Sequence, residues 1–418
     1  MTPEPTDRPG LACRACGSAD LVPMLDLGMS PLCESFLAPD QLDQMEPFYP
    51  LAVSVCAGCF LVQLPAYVQP EAIFGEYAYF SSYSDSWLHH AERYAEAMIE
   101  RFGLDSRSSV VEAASNDGYL LQYFVKRGIP VFGIEPAANV AKVAIAKGVP
   151  TVVQFLNATT GPAIGAKRGK ADLLIGNNVL AQVPDVNGFL QGCRALLKPA
   201  GVVTMECPHL ARLIEGSQFD TIYHEHFSYF SLLSTRSIFA RQGLTIFDVE
   251  ELPTHGGSLR VYGCHTGCHD YPASERVGAL QAEEQRLGLG TVDYYLTFRA
   301  RVHAAKRNLL SFLIGAREAG KRVAGYGAPG KGNTLLNYCG IRSDMLEYTV
   351  DRNPYKQGKF LPGTHIPIYH PDKLRETRPD YVLIIPWNLK DEIAVQLAYV
   401  RDWGGRLVVP IPATEILP

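Results

Sequence analysis

The chain has 418 residues, of which 47% are hydrophobic and 19% charged, with a formal net charge of −5. That length buries a large core and divides into two or three domains of ordinary globular composition. The negative balance argues against nucleic acid as a partner, and no apolar run approaches the roughly twenty residues of a membrane helix. Met1 to Gly10 is a polar, proline-rich leader without a hydrophobic region, so a cytoplasmic location with no membrane partner is expected.

Cys13, Cys16, Cys56 and Cys59 form two Cys-x-x-Cys knuckles. Two thiolates from one tight turn occupy two corners of a tetrahedron, and a second such turn completes it, so the pattern predicts a structural Zn²⁺ in a module over residues 1–70. A redox disulfide is the competing reading, but one catalytic pair needs no second. Val53 to Val55 and Phe60 to Leu64 read as strands entering and leaving the second knuckle. The other six cysteines, Cys33 among them, show no ligand-like spacing and read as small apolar fillers.

Trp87 to Phe102 reads as a helix, and from Ser108 short apolar strands alternate with amphipathic helices. Strands are expected at Ser109 to Ala113, Val131 to Ile134, Thr151 to Gln154, Ala171 to Gly176 and Gly201 to Glu206. Helices are expected at Gly118 to Arg127, Ala137 to Lys147 and Asn187 to Leu197. This is an α/β rhythm of the doubly wound kind, assigned to residues 71–285. A second α/β rhythm, Rossmann-like and assigned to 286–418, opens with a long helix from about Thr291 to Ala319. A strand follows at Arg322 to Tyr326, then a glycine-rich turn, a helix to Cys339, and strands near Tyr348, Tyr381 and Leu407. Glu284 to Gly290 reads as the seam between the two.

The turn after the first central strand runs from Glu112 through Ser115, Asn116 and Asp117 to Gly118. Backbone N–H groups and a close-approaching glycine there face a ligand at the strand's carboxyl end. The missing Gly-x-Gly-x-x-Gly argues against a dinucleotide. Glu135, ending the next strand, stands where ribose hydroxyls sit, its bland alternative being a solvated acid at a helix start. Together the two turns favour S-adenosylmethionine. Asn177 and Asn178 end a further strand and can meet the cofactor's amino-acid end, although Asn-Asn is equally turn chemistry. Asp185 is placed as a helix cap.

Tyr223 to Phe230 is the densest run of proton-handling groups. Tyr223 and His226 share a face if the run is helical, Tyr223 and Glu225 if it is extended. Acid–base work is favoured over a second metal site, with histidine the natural base near neutral pH.

The knuckles, the Glu112 to Gly118 turn, Asn178 to Asp185, Tyr223 to Ser228, His255 to Arg260 and Gly325 to Asn333 together resemble the S-adenosylmethionine-dependent C-methyltransferases of nucleotide-linked deoxysugars. The resemblance spans essentially the whole chain and is nearest to C-3′-methyltransferases acting on dTDP-4-keto sugars, the kind found in the D-tetronitrose pathway. It implies a zinc module and a C-terminal domain flanking a methyltransferase core, a dTDP-linked keto-deoxysugar as substrate, and a monomer or small homo-oligomer. It also implies that His226 is the base removing the proton from C3, with Tyr223 and Tyr77 polarising the ketone oxygen and Glu225 orienting the histidine or binding a sugar amine. Tyr79 is either a substrate contact or aromatic packing. Gln182 departs from the family pattern, which has histidine in that loop; glutamine hydrogen-bonds but does not shuttle a proton.

Gly325 to Gly332, with Gly327, Lys331 and Asn333, opens a helix after a strand and is expected to cradle the substrate's pyrophosphate. It lacks the spacing of a P-loop. Asp351 meets the deoxyribose or caps a turn, and His255 and Arg260 bracket a Gly-Gly segment as substrate contacts or packing support. Two other readings stay open: O- or N-methylation of a nucleotide sugar, and a zinc-ribbon scaffold or nucleic-acid-binding protein.

Overall fold

The computed structural model describes residues 12–70, 80–83 and 85–418, so Tyr77 and Tyr79 lie outside the described residues. Of these, the residues within Met1–Val22, Val55–Leu210 and Phe227–Thr291 form one compact unit. Those within Pro23–Ser54, Ala211–His226 and Val292–Pro418 form a second. The chain leaves the first unit along β1 (Leu21–Ser30) and returns to it along β2 (Tyr49–Cys56). The units therefore cut across the expected boundaries, because 23–54 and 211–226 fold with the C-terminal residues.

The first unit carries β3 (Val62–Gln63), β4 (Val110–Ala113), β5 (Val131–Ile134), β6 (Thr151–Val152) and β7 (Ala171–Asn177). It continues with β8 (Leu197–Pro208), β9 (Ser228–Tyr229), β10 (Leu244–Leu252) and β11 (Ser258–His265). Seven of these form one sheet in the order β10-β11-β8-β7-β4-β5-β6. The strands from β6 to β8 are parallel, and β11 and β10 close the edge antiparallel. Residues of β4 and most of β7 are buried, as covering a parallel sheet on both faces requires. The strand order reverses beside β4, which opens a crevice at the carboxyl ends of β4, β5 and β7.

Differences from the sequence reading have local causes. The helix expected from Gly118 begins at Leu121, since Gly118 is left-handed and cannot start a right-handed turn. Helix Thr160–Arg168 was masked by its glycines and Pro162, yet proline near a helix start removes only an N–H that has no partner there. Asp185 caps Val186–Leu196 as expected, its Oδ1 accepting the Gly188 N–H at 2.9 Å. The seam expected at Glu284 to Gly290 falls just before the passage between units at Thr291 and Val292, although its first residues are helical. Glu284 is buried within helix Glu275–Leu287, and its oxygens accept the N–H groups of Leu232 (2.6 Å) and Leu233 (2.8 Å), while His209 Nε2 lies 2.9 Å away. It thereby caps helix Leu232–Arg241 from a distant part of the chain.

The second unit holds β12 (Val323–Tyr326), β13 (Thr349–Val350), β14 (Ile368–Tyr369), β15 (Tyr381–Ile384), β16 (Arg406–Val409) and β17 (Glu415–Ile416). They form a sheet in the order β14-β13-β12-β15-β16-β17, parallel except for β17. Helix Val292–Glu318 buries Tyr295, Phe298, Val302, Ala305, Leu309, Leu313 and Ala316, a stripe at three- and four-residue spacing. Segment 23–54 is tied to this unit. Leu37 and Phe360 exchange backbone hydrogen bonds, and Glu46 accepts the Gly363 N–H at 2.7 Å and pairs with His365 at 3.1 Å.

Helices Thr160–Arg168 and Val186–Leu196 pack through glycines: a Cβ on Gly161 would lie 2.5 Å from the Gly192 Cα. Gly161→Ala is therefore expected to lower unfolding free energy by about 1–3 kcal/mol, read from the denaturation midpoint at unchanged slope. A midpoint equal to that of the native chain would contradict this close contact.

Candidate active site

The four knuckle sulfurs converge within 4.8 Å of one another, with Cys13–Cys59 and Cys16–Cys56 each at 3.5 Å. Four thiolates bonded at about 2.3 Å to one tetrahedral ion are separated by similar distances, so the donor set fits zinc. Hydrogen bonding from Cys59 pushes the Cys13 thiol down to about 5 and raises that of Cys59, so this pair already favours a thiolate. The knuckle is moored within the first unit. Arg14 hydrogen-bonds Gln63 and the Leu64 and Pro184 carbonyls, and the Asn187 amide donates to the Arg14 and Ala15 carbonyls at 3.0 and 3.1 Å. Chelation or Cys59→Ser is expected to release one zinc per chain and lower the melting temperature by several degrees, as stoichiometric metal assay and thermal scanning would show.

The turn after β4 alternates left-handed residues: Ala114 at φ 55°, Asn116 at 48° and Gly118 at 77°. Glycine normally supplies that conformation, and at Ala114 it costs about 1–2 kcal/mol. Asn116 is clamped, with its N–H given to Glu135 Oε2 at 2.9 Å and its Oδ1 accepting the Ser81 N–H at 2.9 Å. The other Glu135 oxygen accepts the Ala137 N–H at 2.9 Å. Each oxygen keeps a second lone pair for a hydroxyl, so the ribose reading of Glu135 is compatible with this clamp. Gly118 permits close packing, since a Cβ there would meet Val149 Cγ2 at 3.0 Å.

Several polar groups around this crevice are buried and unpaired. Both amide atoms of Asn177, Ser115 Oγ, Asp117 Oδ1 and Asn178 Oδ1 have no partner among the described residues. The other Asp117 oxygen pairs with Lys147 at 2.9 Å, and Lys147 also donates to Ser82 Oγ at 2.8 Å. Orphaned buried amides and carboxylates are costly unless a ligand satisfies them. The amino-acid end and ribose of S-adenosylmethionine offer the matching donors and acceptors, so the residues present fit this cofactor. Burial pushes the Glu112 carboxyl well above its usual range, opposed by the Tyr119 hydroxyl.

His255 and Arg260 separate in the structure. His255 is exposed and left-handed, with Nε2 3.1 Å from Asn178 Nδ2 and its ring 5.3 Å from that of Trp87. Arg260 is instead a sheet residue. It faces Glu206 on β8 and Glu250 on β10 in register, bonds them at 3.0 and 3.1 Å, and lies 4.6 Å over the Tyr94 ring. Burial acts to raise Glu206, but His90 and Arg260 hold its carboxyl below the usual range. Gln182 is half-buried in the turn Leu180–Gln182, whose Ala181 carbonyl accepts the Phe227 N–H at 2.7 Å.

The proton-handling run belongs to the second unit up to His226. It forms a turn, with the His226 N–H bonded to the Tyr223 carbonyl at 2.9 Å, so Tyr223 and His226 share a face as the helical alternative requires. His226 Nδ1 lies 2.9 Å from the Thr221 carbonyl, which accepts only from a protonated nitrogen. The Nε2 lone pair is thereby left to accept from the Tyr223 hydroxyl at 2.9 Å, with ring centroids 4.0 Å apart. His224 is structural: it contacts the Pro50 carbonyl at 3.2 Å, packs against Tyr49, and has its pKa lowered by burial. Cys33 is more than a filler. Its thiol donates to Glu225 Oε1 at 3.5 Å, and burial holds it well above the usual thiol range.

The glycine-rich turn is engaged by side chains of its own unit. Asp351 clamps it, accepting the N–H groups of Ala328 (2.7 Å) and Asn353 (2.8 Å). Lys331 donates to Asn388 and lies 4.4 Å over the Trp387 ring. The Asn333 amide donates to the Cys33 carbonyl, its Oδ1 is buried without a partner, and Gly327 is left-handed at φ 90°. Glu34 fills the space before Gly330, where a Cβ would meet its Oε1 at 2.7 Å. Sequence reading missed Cys33, Glu34, Asp220 and Trp387 because each meets its partner across a long stretch of chain.

Burial drives the Lys331 ammonium down to about 8, with Asp220 opposing. Between pH 8 and the unfolded value of 10.5 the unfolded chain binds the extra proton, so stability rises with pH across that window. Comparison with Lys331→Met by chemical denaturation is expected to show the native chain gaining relative stability from pH 8 to 10.5, whereas a flat difference would contradict this burial.

A twisted, mostly parallel sheet with a crevice of unpaired amides at its switch point, and a metal knuckle moored to it, define a methyltransferase. Residues 13–74 match a family model for a zinc binding domain, 87–249 a methyltransferase domain, and 253–412 a C-methyltransferase C-terminal domain. The chain is 37% identical to C-methyltransferase NovU of Streptomyces niveus over 410 residues, covering 98% of this chain and 97% of that protein. It belongs to this C-methyltransferase family, with S-adenosylmethionine as cofactor and zinc in the knuckles. A ubiquinone biosynthesis O-methyltransferase of Rhodopseudomonas palustris is 30% identical over 98 residues, 23% of this chain and 38% of that protein. Among solved structures, a 1,6-didemethyltoxoflavin-N1-methyltransferase of Burkholderia thailandensis shares 18% identity over 49% of this chain and 95% of its own, with a TM-score of 0.35.

Proposed function

We propose that the enzyme methylates C3 of a dTDP-linked 4-keto-deoxysugar. The observation that carries this reading is the 2.9 Å approach of His226 Nδ1 to the Thr221 carbonyl, which calls for a proton on Nδ1 and so leaves the Nε2 lone pair as the basic site. A ketone at C4 acidifies the hydrogen on C3. His226 Nε2 takes that proton and becomes an imidazolium, leaving an enolate on the sugar. The Tyr223 hydroxyl, 2.9 Å from Nε2, then donates to the enolate oxygen, where fixed donors are most effective. When bound, S-adenosylmethionine would be held by Glu135, Asn177 and Asn178 and would supply the electrophilic methyl group for attack by the enolate carbon. Glu225 lies one residue from the base and orients it or receives a sugar amine.

C-methylation requires a carbon base, whereas transfer to oxygen or nitrogen does not. Incubation with dTDP-4-keto sugars in deuterated water, followed by NMR, is expected to show methyl at C3 and enzyme-dependent exchange there. His226→Asn is expected to bind both ligands and lose exchange and methylation by at least about 100-fold. Exchange at the native rate in that variant would remove His226 as the base, and methyl found on a heteroatom would remove the reading itself.

A further inference from the structure

Asp220 is the one buried carboxylate in the second unit's proton-handling segment to which the reaction above gives no task. It sits in the single turn Phe219–Thr221 with no exposure, and its Oδ2 accepts the Trp387 indole N–H at 2.6 Å. Its Oδ1 is buried without a partner among the described residues. The next residue, Thr221, presents the carbonyl that fixes His226 Nδ1, and the Ile222 carbonyl after it accepts the Thr334 hydroxyl at 3.2 Å. Trp387 in turn carries Lys331 over its ring face. The turn that holds the base is thus fastened at one end by an indole and at the other by a threonine of the helix following the glycine-rich turn.

We infer that Trp387 and Asp220 are positioning residues for His226: the indole–carboxylate hydrogen bond sets the Thr221 carbonyl, and that carbonyl sets which imidazole nitrogen is basic. A short hydrogen bond in a buried, low-dielectric site is strong and directional. Removing its donor leaves a buried carboxylate that must turn, take a proton or draw in water, and any of these moves the adjacent peptide. A shift of about 1 Å in a catalytic group is enough to cost on the order of 100-fold in rate. Desolvation raises the Asp220 carboxyl, and Lys331 and the Trp387 N–H oppose that rise.

The inference rests on the proposed role of His226, but its first readout does not. In ¹⁵N NMR of histidine-labelled protein, the His226 ring is expected as the Nδ1–H tautomer in the native chain and as a tautomer mixture in Trp387→Phe, which keeps the ring and loses the N–H. Turnover of Trp387→Phe and Asp220→Ala is expected to fall about 10- to 100-fold, with KM for S-adenosylmethionine unchanged. Asp220→Asn, whose carbonyl still accepts the indole N–H, is expected to stay within about threefold of native. The double variant Trp387→Phe with Asp220→Ala is expected to be no slower than either single, because the two act through one bond. If Trp387→Phe fails to fold by circular dichroism, Asp220→Ala read against Asp220→Asn carries the same comparison. A native tautomer in Trp387→Phe, or losses that multiply in the double variant, would overturn the inference. A tautomer mixture without loss of C3 exchange would instead uphold the positioning and remove His226 as the base.

Discussion

Both sheets are built around a reversal of strand order, beside β4 in one and beside β12 in the other, and most of what distinguishes this chain follows from what a reversal leaves behind. Neighbouring connections leave in opposite directions there, so backbone and side-chain polar groups at the strand ends lack lateral partners. In the first unit Asn177, Ser115 and one oxygen of Asp117 have no partner among the described residues. In the second the turn is met from within by Asp351, Glu34 and Lys331. Unpartnered polar groups thus mark the first turn among the described residues, whereas the second is engaged chiefly by its own unit's side chains.

Much of the fold was legible because its signals are local. The stripe from Tyr295 to Ala316 repeats at helical spacing, and the strands around Val110, Val131 and Ala171 are apolar runs. The four cysteines announce themselves by spacing. Strands β10 and β11 were harder, since Glu250, Arg260 and Glu206 interrupt their apolar pattern and become reasonable only once they face one another across the sheet. The seam after Gly288 was legible from its glycines, but the helical place of Glu284 was not, because a charged residue near glycines looks like a linker unless the two distant amides it caps are known.

The site divides in the same way. Which residue types gather at the strand ends could be read from the chain, and Asn177, Asp117 and Glu135 do gather there. Conformation could not. Ala114 and Asn116 adopt backbone angles that sequence would assign to glycine, and the chain sustains them by clamping Asn116 from Ser81 and Glu135. The tautomer of His226 was equally hidden, because it depends on a carbonyl five residues earlier whose direction is set by the turn and not by any side-chain spacing. For the glycine-rich turn, glycines and a lysine describe its shape but not which neighbours, Asp351, Glu34 and Asn388, engage it.

Cys16 and Cys56 stand 40 positions apart, and the stretch separating the two knuckles includes all of 23–54, which folds with the second unit. A metal ion gripping both knuckles ties off this excursion at its neck. Because the entropy of closing such a loop changes only slowly with its length, insertions or deletions inside the excursion can be absorbed so long as the neck holds. The length of 23–54 is thus decoupled from the geometry of the knuckles that bound it.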